Sequence, residues 1–229
     1  MTLLANGLCE AVLFDLDGTL VDTAPDMVAV LQDLQRAHNH EPVPYEVGRL
    51  HVSNGALGLL ALGFPGIVHE IGSSLHRDYL QRYEQRLCEA STLFPGMAEL
   101  LDVLDSAGRP WGVVTNKPAF LTDPLLESLS LASRSACTVS GDTLEQRKPH
   151  PAPLLYACEV AGVRPQSTVY VGDAARDIEA GQNAGMATIA AAYGYVTPDD
   201  DPVHWGADRI ATDTEELAQI VRKAVNLGF

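Results

Sequence analysis

The sequence has few cysteines, few basic residues and no long apolar run, and each deficit excludes a class of protein. Its four cysteines are scattered through 229 residues, and no Cys-x-x-Cys pair is present. A cysteine-based zinc site and a dithiol redox motif are therefore excluded. Free thiols in a reducing compartment are the expected state of these residues.

Basic residues are outnumbered two to one by acidic ones. Lys and Arg total 15 against 30 Asp and Glu, which gives a formal net charge of -15 and a pI of about 4.7. A nucleic-acid surface requires a basic stripe, and an anionic membrane surface attracts basic segments, so both partners are disfavoured. The overall charge does not exclude a local positive pocket that binds one small anion.

Long apolar segments are missing as well. No run approaches the roughly 20 residues of a membrane span. No basic N-terminal region precedes an apolar segment, so no secretory signal is predicted. We expect a cytoplasmic protein, a monomer or homodimer, with neither nucleic acid nor membrane as partner. The length and the 46% hydrophobic content suffice for one large domain, or for a core with a smaller second domain.

One stretch combines an apolar run with two close acids. Ala11 to Phe14 is typical of a buried strand, and Asp15 and Asp17 follow it at once. Ligands of open α/β sheets bind beyond the carboxyl ends of such strands. Two neighbouring carboxylates repel each other unless a cation or proton intervenes. Mg²⁺ is the cation that this pattern favours.

Two simpler interpretations of the same stretch were considered. An isolated Asp-x-Asp-Gly is most often a turn or a solvated loop. An EF-hand calcium loop needs glycine at its sixth position and a helix before it. Here Leu20 occupies that position, and a strand-like run precedes the acids, so the EF-hand is rejected.

Apolar runs typical of strands alternate with helical patterns along most of the chain. The predicted strands are 11–14, 111–115, 136–139, 168–171, 187–191 and 209–211. The predicted helices that accompany them are 97–107, 121–129, 152–161, 177–184 and 213–226. Thr212 and Glu215 have the spacing of a capping box for the last helix. This alternation predicts an α/β fold with a Rossmann-like, doubly wound parallel sheet.

The stretch from 23 to 89 differs from the rest because it is helical throughout. Its glycines and prolines divide it into short pieces, and Pro25 suits the first turn of a helix. We predict a small all-helical cap domain inserted after the first strand. The chain is thereby divided into core residues 1–22, cap residues 23–89 and core residues 90–229.

Three further motifs lie at the ends of predicted strands or at the start of a helix. Thr115, Asn116 and Lys117 end one apolar strand, and Asp173 and Asp177 follow another. The third motif is Arg-Lys-Pro-His-Pro at 147–151, which places a lysine just before a helix. Each motif is weak alone, but the four in this order, at one edge of one sheet, are a strong signal.

Together the four motifs resemble the haloacid dehalogenase superfamily, in its phosphatase branch, over essentially the whole chain. The resemblance implies that Asp15 is a nucleophile and Asp17 a general acid and base. It also implies that Thr115 holds the transferring phosphoryl group and that Lys148 counters the negative charge.

The same resemblance implies a Mg²⁺ site. Its ligands would be the Asp15 carboxylate, the backbone carbonyl of Asp17 and Asp173, with Asp177 acting from behind these ligands. A carboxylate approaches a dianionic phosphate only if a metal ion and a cation such as Lys148 screen the repulsion. Its attack forms an acyl phosphate and divides one hard step into two.

Other functions were weighed against a phosphatase. Carbon–halogen dehalogenases of the family lack the second aspartate and use no Mg²⁺, so Asp17, Asp173 and Asp177 argue against them. Sugar phosphomutases similar to β-phosphoglucomutase keep all four motifs and remain an alternative. A non-catalytic protein that binds phosphorylated metabolites on the same scaffold is a third possibility.

The expected substrate is a small acidic phosphometabolite. The loop His51-Val-Ser-Asn-Gly-Ala resembles the cap loop of phosphoglycolate phosphatases. The candidate substrate-binding residues are Arg49, His51, Ser53, Asn54, Asn116 and Lys117. Residues 111–118 and 193–208 resemble a bacterial subgroup named phosphoglycolate phosphatase, some members of which act on N-acetylmuramate 6-phosphate. Both compounds bear a carboxylate, for which Lys117 or a cap arginine is the expected partner.

Overall fold

The computed structural model describes Leu4 and residues 9–227. Six strands form one sheet in which every neighbouring pair is parallel. They are β1 (Ala11–Phe14), β4 (Trp111–Val114), β5 (Thr138–Val139), β6 (Thr168–Gly172), β7 (Ala187–Ala191) and β8 (Arg209–Ala211). The order across the sheet is β5-β4-β1-β6-β7-β8, so β1 lies between β4 and β6. All carboxyl ends therefore meet at one edge.

Helices cover both faces of the sheet. Those of the core are α5 (Met97–Ser106), α6 (Ala119–Ser128), α7 (Ala152–Ala161), α8 (Ala175–Asn183) and α9 (Thr214–Ala224). Alternate residues of β1 enter different clusters, because successive side chains of a strand point to opposite faces. Val12 and Phe14 pack in one hydrophobic cluster and Leu13 in the other. The predicted α/β fold with a doubly wound parallel sheet is confirmed.

The region predicted as a cap contains helices and no strand of the main sheet. Its helices are α1 (Ala24–Ala37), α2 (Tyr45–Arg49), α3 (Gly55–Gly63) and α4 (Ser74–Gln85). A two-stranded antiparallel ribbon, β2 (Val21–Asp22) with β3 (Thr92–Leu93), joins the two points where the chain passes between these helices and the core. The sequence analysis missed the ribbon, since two residues are too few for a strand pattern.

The start of α9 differs from the prediction by one residue. Asp213, and not Thr212, is the N-cap, and its carboxylate accepts a hydrogen bond of 2.8 Å from the Glu216 backbone N–H. The Glu216 carboxylate in turn accepts from Thr212, so the predicted pair of Thr212 with Glu215 is wrong. Aspartate is as good an N-cap as threonine, and the sequence alone did not separate these adjacent registers.

Two expectations from the composition are met in the described part of the chain. All four cysteines are free thiols, and three of them are buried. No helix among residues 9–227 combines the length and the apolar character that crossing a bilayer requires.

Candidate active site

A cavity of about 390 Å³ lies at the carboxyl edge of the sheet, beneath the helices that precede β3. The core supplies its charged and polar floor, while helices α1, α3 and α4 supply much of an apolar wall. The polar and charged lining residues are Asp15, Asp17, Ser53, Asn54, His76, Thr115, Asn116, Lys117, Arg147, Lys148 and Arg176. A local group of four cations thus occurs in a strongly acidic chain.

Lys148 lies at the centre of the floor, with only 1% of its side chain exposed. Its Nζ donates to Asp15 Oδ1 at 2.7 Å, to the Val114 carbonyl at 2.9 Å and to Tyr170 Oη at 2.8 Å. These three bonds use its three protons, so Asp177 Oδ1, 2.8 Å away, makes an ionic contact without a proton of its own. Burial lowers the pKa of Lys148, but Asp15 and Asp177 outweigh burial and raise it.

Asn116 holds Lys148 in place. Its side-chain amide donates to the Lys148 carbonyl at 3.0 Å and accepts from the Lys148 backbone N–H at 3.1 Å. Asn116 was expected to bind substrate, and it lines the cavity. Its side-chain amide already forms two hydrogen bonds with the backbone of Lys148. The Thr115 hydroxyl accepts from the Lys117 backbone N–H at 3.1 Å, which leaves the hydroxyl proton available to an anion.

Three buried carboxylates, those of Asp15, Asp173 and Asp177, form a cluster whose oxygens lie within 4.8 Å of one another. Burial raises the pKa of Asp15, with Lys148 acting in the opposite direction. Burial also raises the pKa of Asp173, and the charges of Asp15 and Asp177 add to the rise. The Lys148 ammonium and the nearby Arg176 guanidinium are fewer than the three acids, and this excess of negative charge is the condition that favours a bound cation.

The donor set fits a divalent metal ion. The Asp173 Oδ2 atom accepts bonds from the Tyr195 backbone N–H at 2.9 Å and from Ser53 Oγ at 2.5 Å. Its Oδ1 atom is buried and has no partner among the described residues. Hard cations such as Mg²⁺ take oxygen ligands of this kind. The Asp177 carboxylate belongs to the same cluster. It therefore lies closer to the candidate metal site than expected, since it was predicted to act from behind the ligands.

Asp17 faces a different set of neighbours. Its Oδ1 atom accepts from Thr23 Oγ1 at 2.6 Å and from Lys117 Nζ at 3.0 Å. Lys117 also donates to Tyr83 Oη at 3.0 Å, so this lysine joins Asp17 to helix α4. Lys117 was expected to meet a substrate carboxylate, but an acid of the protein already pairs with it. The Oδ2 atom of Asp17 has no partner in the described part of the chain and is the atom that can exchange a proton with a ligand.

The four cap residues selected from the sequence are not brought together. Ser53 and Asn54 line the cavity, whereas Arg49 and His51 do not. Arg49 forms an ion pair with Asp22, in which Arg49 Nη1 lies 2.6 and 2.9 Å from the two carboxylate oxygens, beside the Tyr195 ring. The Arg49 guanidinium thus lies at the ribbon in this structure, and its predicted contact with the leaving group stays a prediction.

Gly18 permits the close approach of the first motif to Asp173. Its φ is +88°, and an added Cβ would lie 2.1 Å from Asp173 Oδ2. Gly162 has a similar φ of +67°, but an added Cβ there would meet no atom within 4 Å among the described residues. Alanine at either position would therefore take up a strained, left-handed backbone conformation. Its Cβ would clash with a neighbouring side chain only at Gly18.

This difference predicts the outcome of a pair of alanine variants. Gly162→Ala should lower the free energy of unfolding by about 1–2 kcal/mol, the cost of a left-handed conformation, and leave kcat/KM unchanged. Gly18→Ala should carry the same strain and also displace Asp173, lowering kcat/KM by about 10²-fold. Urea unfolding and steady-state kinetics measure both effects. Equal kinetics in the two variants would show that Asp173 need not be held where it lies.

The sequence analysis missed Arg176 and the full role of Tyr195. Arg176 lies between the two acids of the fourth motif and lines the cavity. A cation inside an acidic motif, on the first turn of a helix, was the available signal. The Tyr195 hydroxyl donates to Asp22 Oδ1 at 2.8 Å while its backbone binds Asp173, so one residue connects the ribbon to the acidic cluster. From the sequence, Tyr195 was noted only as part of the segment 193–208 that resembles the phosphoglycolate phosphatase subgroup.

Comparison with known proteins agrees with this arrangement. A family model described as haloacid dehalogenase-like hydrolase matches residues 12–191, which include all four motifs. The chain belongs to the haloacid dehalogenase-like hydrolase family. The hydrolase resemblance seen in the motifs is thereby confirmed.

Relatives of this hydrolase carry two different names. It is 41% identical over 217 residues to the N-acetylmuramic acid 6-phosphate phosphatase of Pseudomonas aeruginosa, covering 94% of this chain and 96% of the relative. It is 42% identical over 215 residues to the phosphoglycolate phosphatase of Xylella fastidiosa, covering 94% of each. The crystal structure of a predicted phosphoglycolate phosphatase from Haemophilus somnus superposes with a TM-score of 0.81 at 28% identity, covering 93% of this chain and 98% of that one.

Proposed function

We propose that this hydrolase is a Mg²⁺-dependent phosphomonoesterase that forms an aspartyl-phosphate at Asp15. The observation that carries the proposal is the buried Asp15–Lys148 pair at the floor of the cavity, with the Asp17 carboxylate two residues along the chain. The pair offers a nucleophile together with the cation that lets an anion approach it. Asp17 offers a separate carboxylate for proton transfer.

Asp15, Asp173, the Asp17 backbone carbonyl and Asp177 would hold Mg²⁺. When bound, the ion offsets the charge of the acidic cluster and of the phosphoryl group, and polarises a phosphoryl oxygen. The protein's part is to fix the carboxylates. Tyr195 and Ser53 do so for Asp173 through its Oδ2 atom, and Lys148 does so for Asp15.

In the first step the Asp15 carboxylate attacks phosphorus, the P–O bond to the leaving group breaks, and Asp17 Oδ2 gives its proton to the departing oxygen. In the second step water attacks the phosphorus of the aspartyl-phosphate, Asp17 takes a proton from it, and Asp15 leaves as a carboxylate. Thr115 donates to the equatorial oxygens. Proton transfer of this kind is worth about 10²–10⁴-fold in rate. Lys117 and Thr23 orient Asp17 for both transfers.

The helices between β2 and β3 would act as a cap that excludes water and contacts the leaving group. Their contribution to the cavity is mainly apolar; the apolar side chains of this wall are Met27, Val52, Ala56, Leu57, Ile71, Tyr79, Leu80 and Tyr83. A volume of about 390 Å³ lies within the range of about 300–1,000 Å³ typical of small-molecule sites. The cavity therefore has room for a leaving group of sugar size, and N-acetylmuramate 6-phosphate is the substrate that we propose first.

A phosphate-release assay tests the proposal. The panel contains N-acetylmuramate 6-phosphate, 2-phosphoglycolate and several sugar phosphates, each with Mg²⁺ or with a chelator. We expect phosphate release with Mg²⁺, the highest kcat/KM for N-acetylmuramate 6-phosphate, and loss of at least about 10²-fold in rate with the chelator. Addition of Mg²⁺ should restore the rate.

Three outcomes would contradict parts of this account. Full activity in the presence of the chelator would show that the reaction needs no Mg²⁺. Conversion of a sugar phosphate to an isomer without phosphate release would identify a phosphomutase. Tight binding of a phosphate ester with neither reaction would identify a binding protein.

A further inference from the structure

Arg176 is a half-buried cation of the cavity, and its guanidinium has no acidic partner among the described residues. It lies on the first turn of α8, three residues after Asp173. Among the described residues its guanidinium makes one hydrogen bond, to the backbone carbonyl of Ser53, and forms no ion pair. A guanidinium has five N–H donors, so most of its capacity is unused.

The other cations near the cavity are already committed or lie elsewhere. Lys148 pairs with Asp15, and Lys117 pairs with Asp17. Arg147 is exposed at the rim, and Arg49 is held at the ribbon. Arg176 is thus the cation in this part of the chain that combines partial burial with unused donors.

Arg176 lies on the side of the site where the cap loop comes close to Asp173. It lines the main cavity and also a smaller adjoining one of about 120 Å³. Ser53 and Asn54 of the cap loop line both cavities as well, whereas Thr115 and Lys148 line only the main one. A group bound at Arg176 therefore lies toward the cap loop, away from the Thr115 side of the phosphoryl site.

The charge of Arg176 is secure in this setting. A guanidinium stays protonated in proteins, and the acids that act on it here are Asp15, Asp173 and Asp177. The same three acids would repel a second anionic group of the substrate. A planar, permanently charged donor matches a carboxylate in bidentate geometry and offsets this repulsion.

We propose that Arg176 binds a carboxylate on the leaving-group part of the substrate and thereby selects acidic phosphate esters. The inference rests on the proposed phosphatase function, because both substrates considered for it bear a carboxylate. It assigns to Arg176 the role that the sequence analysis expected of Lys117 or a cap arginine. Arg176 is then a specificity-determining residue for this reaction.

Matched substrate pairs test this role. N-acetylmuramate 6-phosphate is compared with N-acetylglucosamine 6-phosphate, which lacks the carboxylate-bearing ether, and 2-phosphoglycolate with 2-hydroxyethyl phosphate. Arg176→Gln should lower kcat/KM about 10- to 100-fold for the acidic member of a pair and less than about 3-fold for the other. Arg176→Lys should lower kcat/KM for the acidic member by an intermediate factor, because lysine keeps the positive charge but lacks the paired N–H donors of a guanidinium. Arg209→Gln is the matched control, because Arg209 is exposed on β8 and lines neither cavity, and it should leave the preference unchanged.

A role limited to holding the cap loop, or to binding the phosphoryl group, would lower kcat/KM equally for both members of a pair, and that result would overturn the proposal. Calorimetric binding of the same esters to Asp15→Asn protein, with and without Arg176→Gln, keeps the test independent of turnover. If the wild-type chain releases no phosphate but binding prefers the acidic ester only when Arg176 is present, the phosphatase proposal fails and the role of Arg176 stands. Equal binding of both esters overturns the role of Arg176.

Discussion

Asp15→Asn is expected to lower kcat by at least about 10⁴-fold, the scale of losses seen when an enzyme's nucleophile is removed. The asparagine keeps the shape of the side chain and an oxygen that can accept from Lys148, but an amide does not attack phosphorus to give an acyl phosphate. The variant should fold, because one of three crowded buried acids becomes neutral. Phosphate release and the urea midpoint measure the two effects.

Asp123→Asn is the matched control for this variant. Asp123 is exposed on α6 and lines neither cavity, and the same chemical change there should alter neither rate nor stability. Turnover by Asp15→Asn within about 10-fold of the wild type would assign the nucleophile to another group. A loss of rate accompanied by unfolding would call for the structure of the variant before any assignment of roles.

Lys148→Met should have the largest effect on stability. The buried ammonium contacts two carboxylates, a backbone carbonyl and the Tyr170 hydroxyl, so its loss leaves these groups uncompensated. Removal of one partner from a buried ion pair costs about 3–5 kcal/mol of the free energy of unfolding. Urea unfolding in the presence of a chelator measures this loss without stabilisation by a bound metal.

Two further variants show whether the loss arises from the uncompensated acids. Lys223→Met, at an exposed position on α9, should change the free energy of unfolding by less than about 0.5 kcal/mol. Addition of Asp15→Asn to Lys148→Met should restore part of the lost stability, because one buried charge is then removed. A cost below about 1 kcal/mol for Lys148→Met would contradict the electrostatic role described for this pair.

The sheet and the positions of the catalytic motifs were predictable for a physical reason. Buried parallel strands are continuous apolar runs, and their ends are marked by the polar residues that follow. The carboxyl edge of the sheet is therefore marked in the sequence by Asp15, Thr115 and Asp173. The β2–β3 ribbon carries no such mark, and the N-cap of α9 was misplaced because two capping residues are adjacent.

The partners of individual side chains were less predictable. Asn116, Lys117 and Arg49 are polar residues in the expected regions, but their contacts depend on how distant segments dock. Lys117 meets Asp17, one hundred positions away in the sequence, and Arg49 of α2 meets Asp22 of the ribbon. Ser53 was expected to touch the leaving group and instead donates to Asp173. Periodicity and motif spacing do not encode these choices.

The most direct test of the account is to trap the covalent intermediate. Wild-type protein is mixed with a radiolabelled phosphate ester and Mg²⁺, quenched in acid within the first turnover, and digested for peptide mapping. The account predicts a hydroxylamine-sensitive label on the peptide that contains Asp15, and no label in the Asp15→Asn variant. Release of phosphate in the first turnover without label on that peptide, or with label on a different residue, would contradict it.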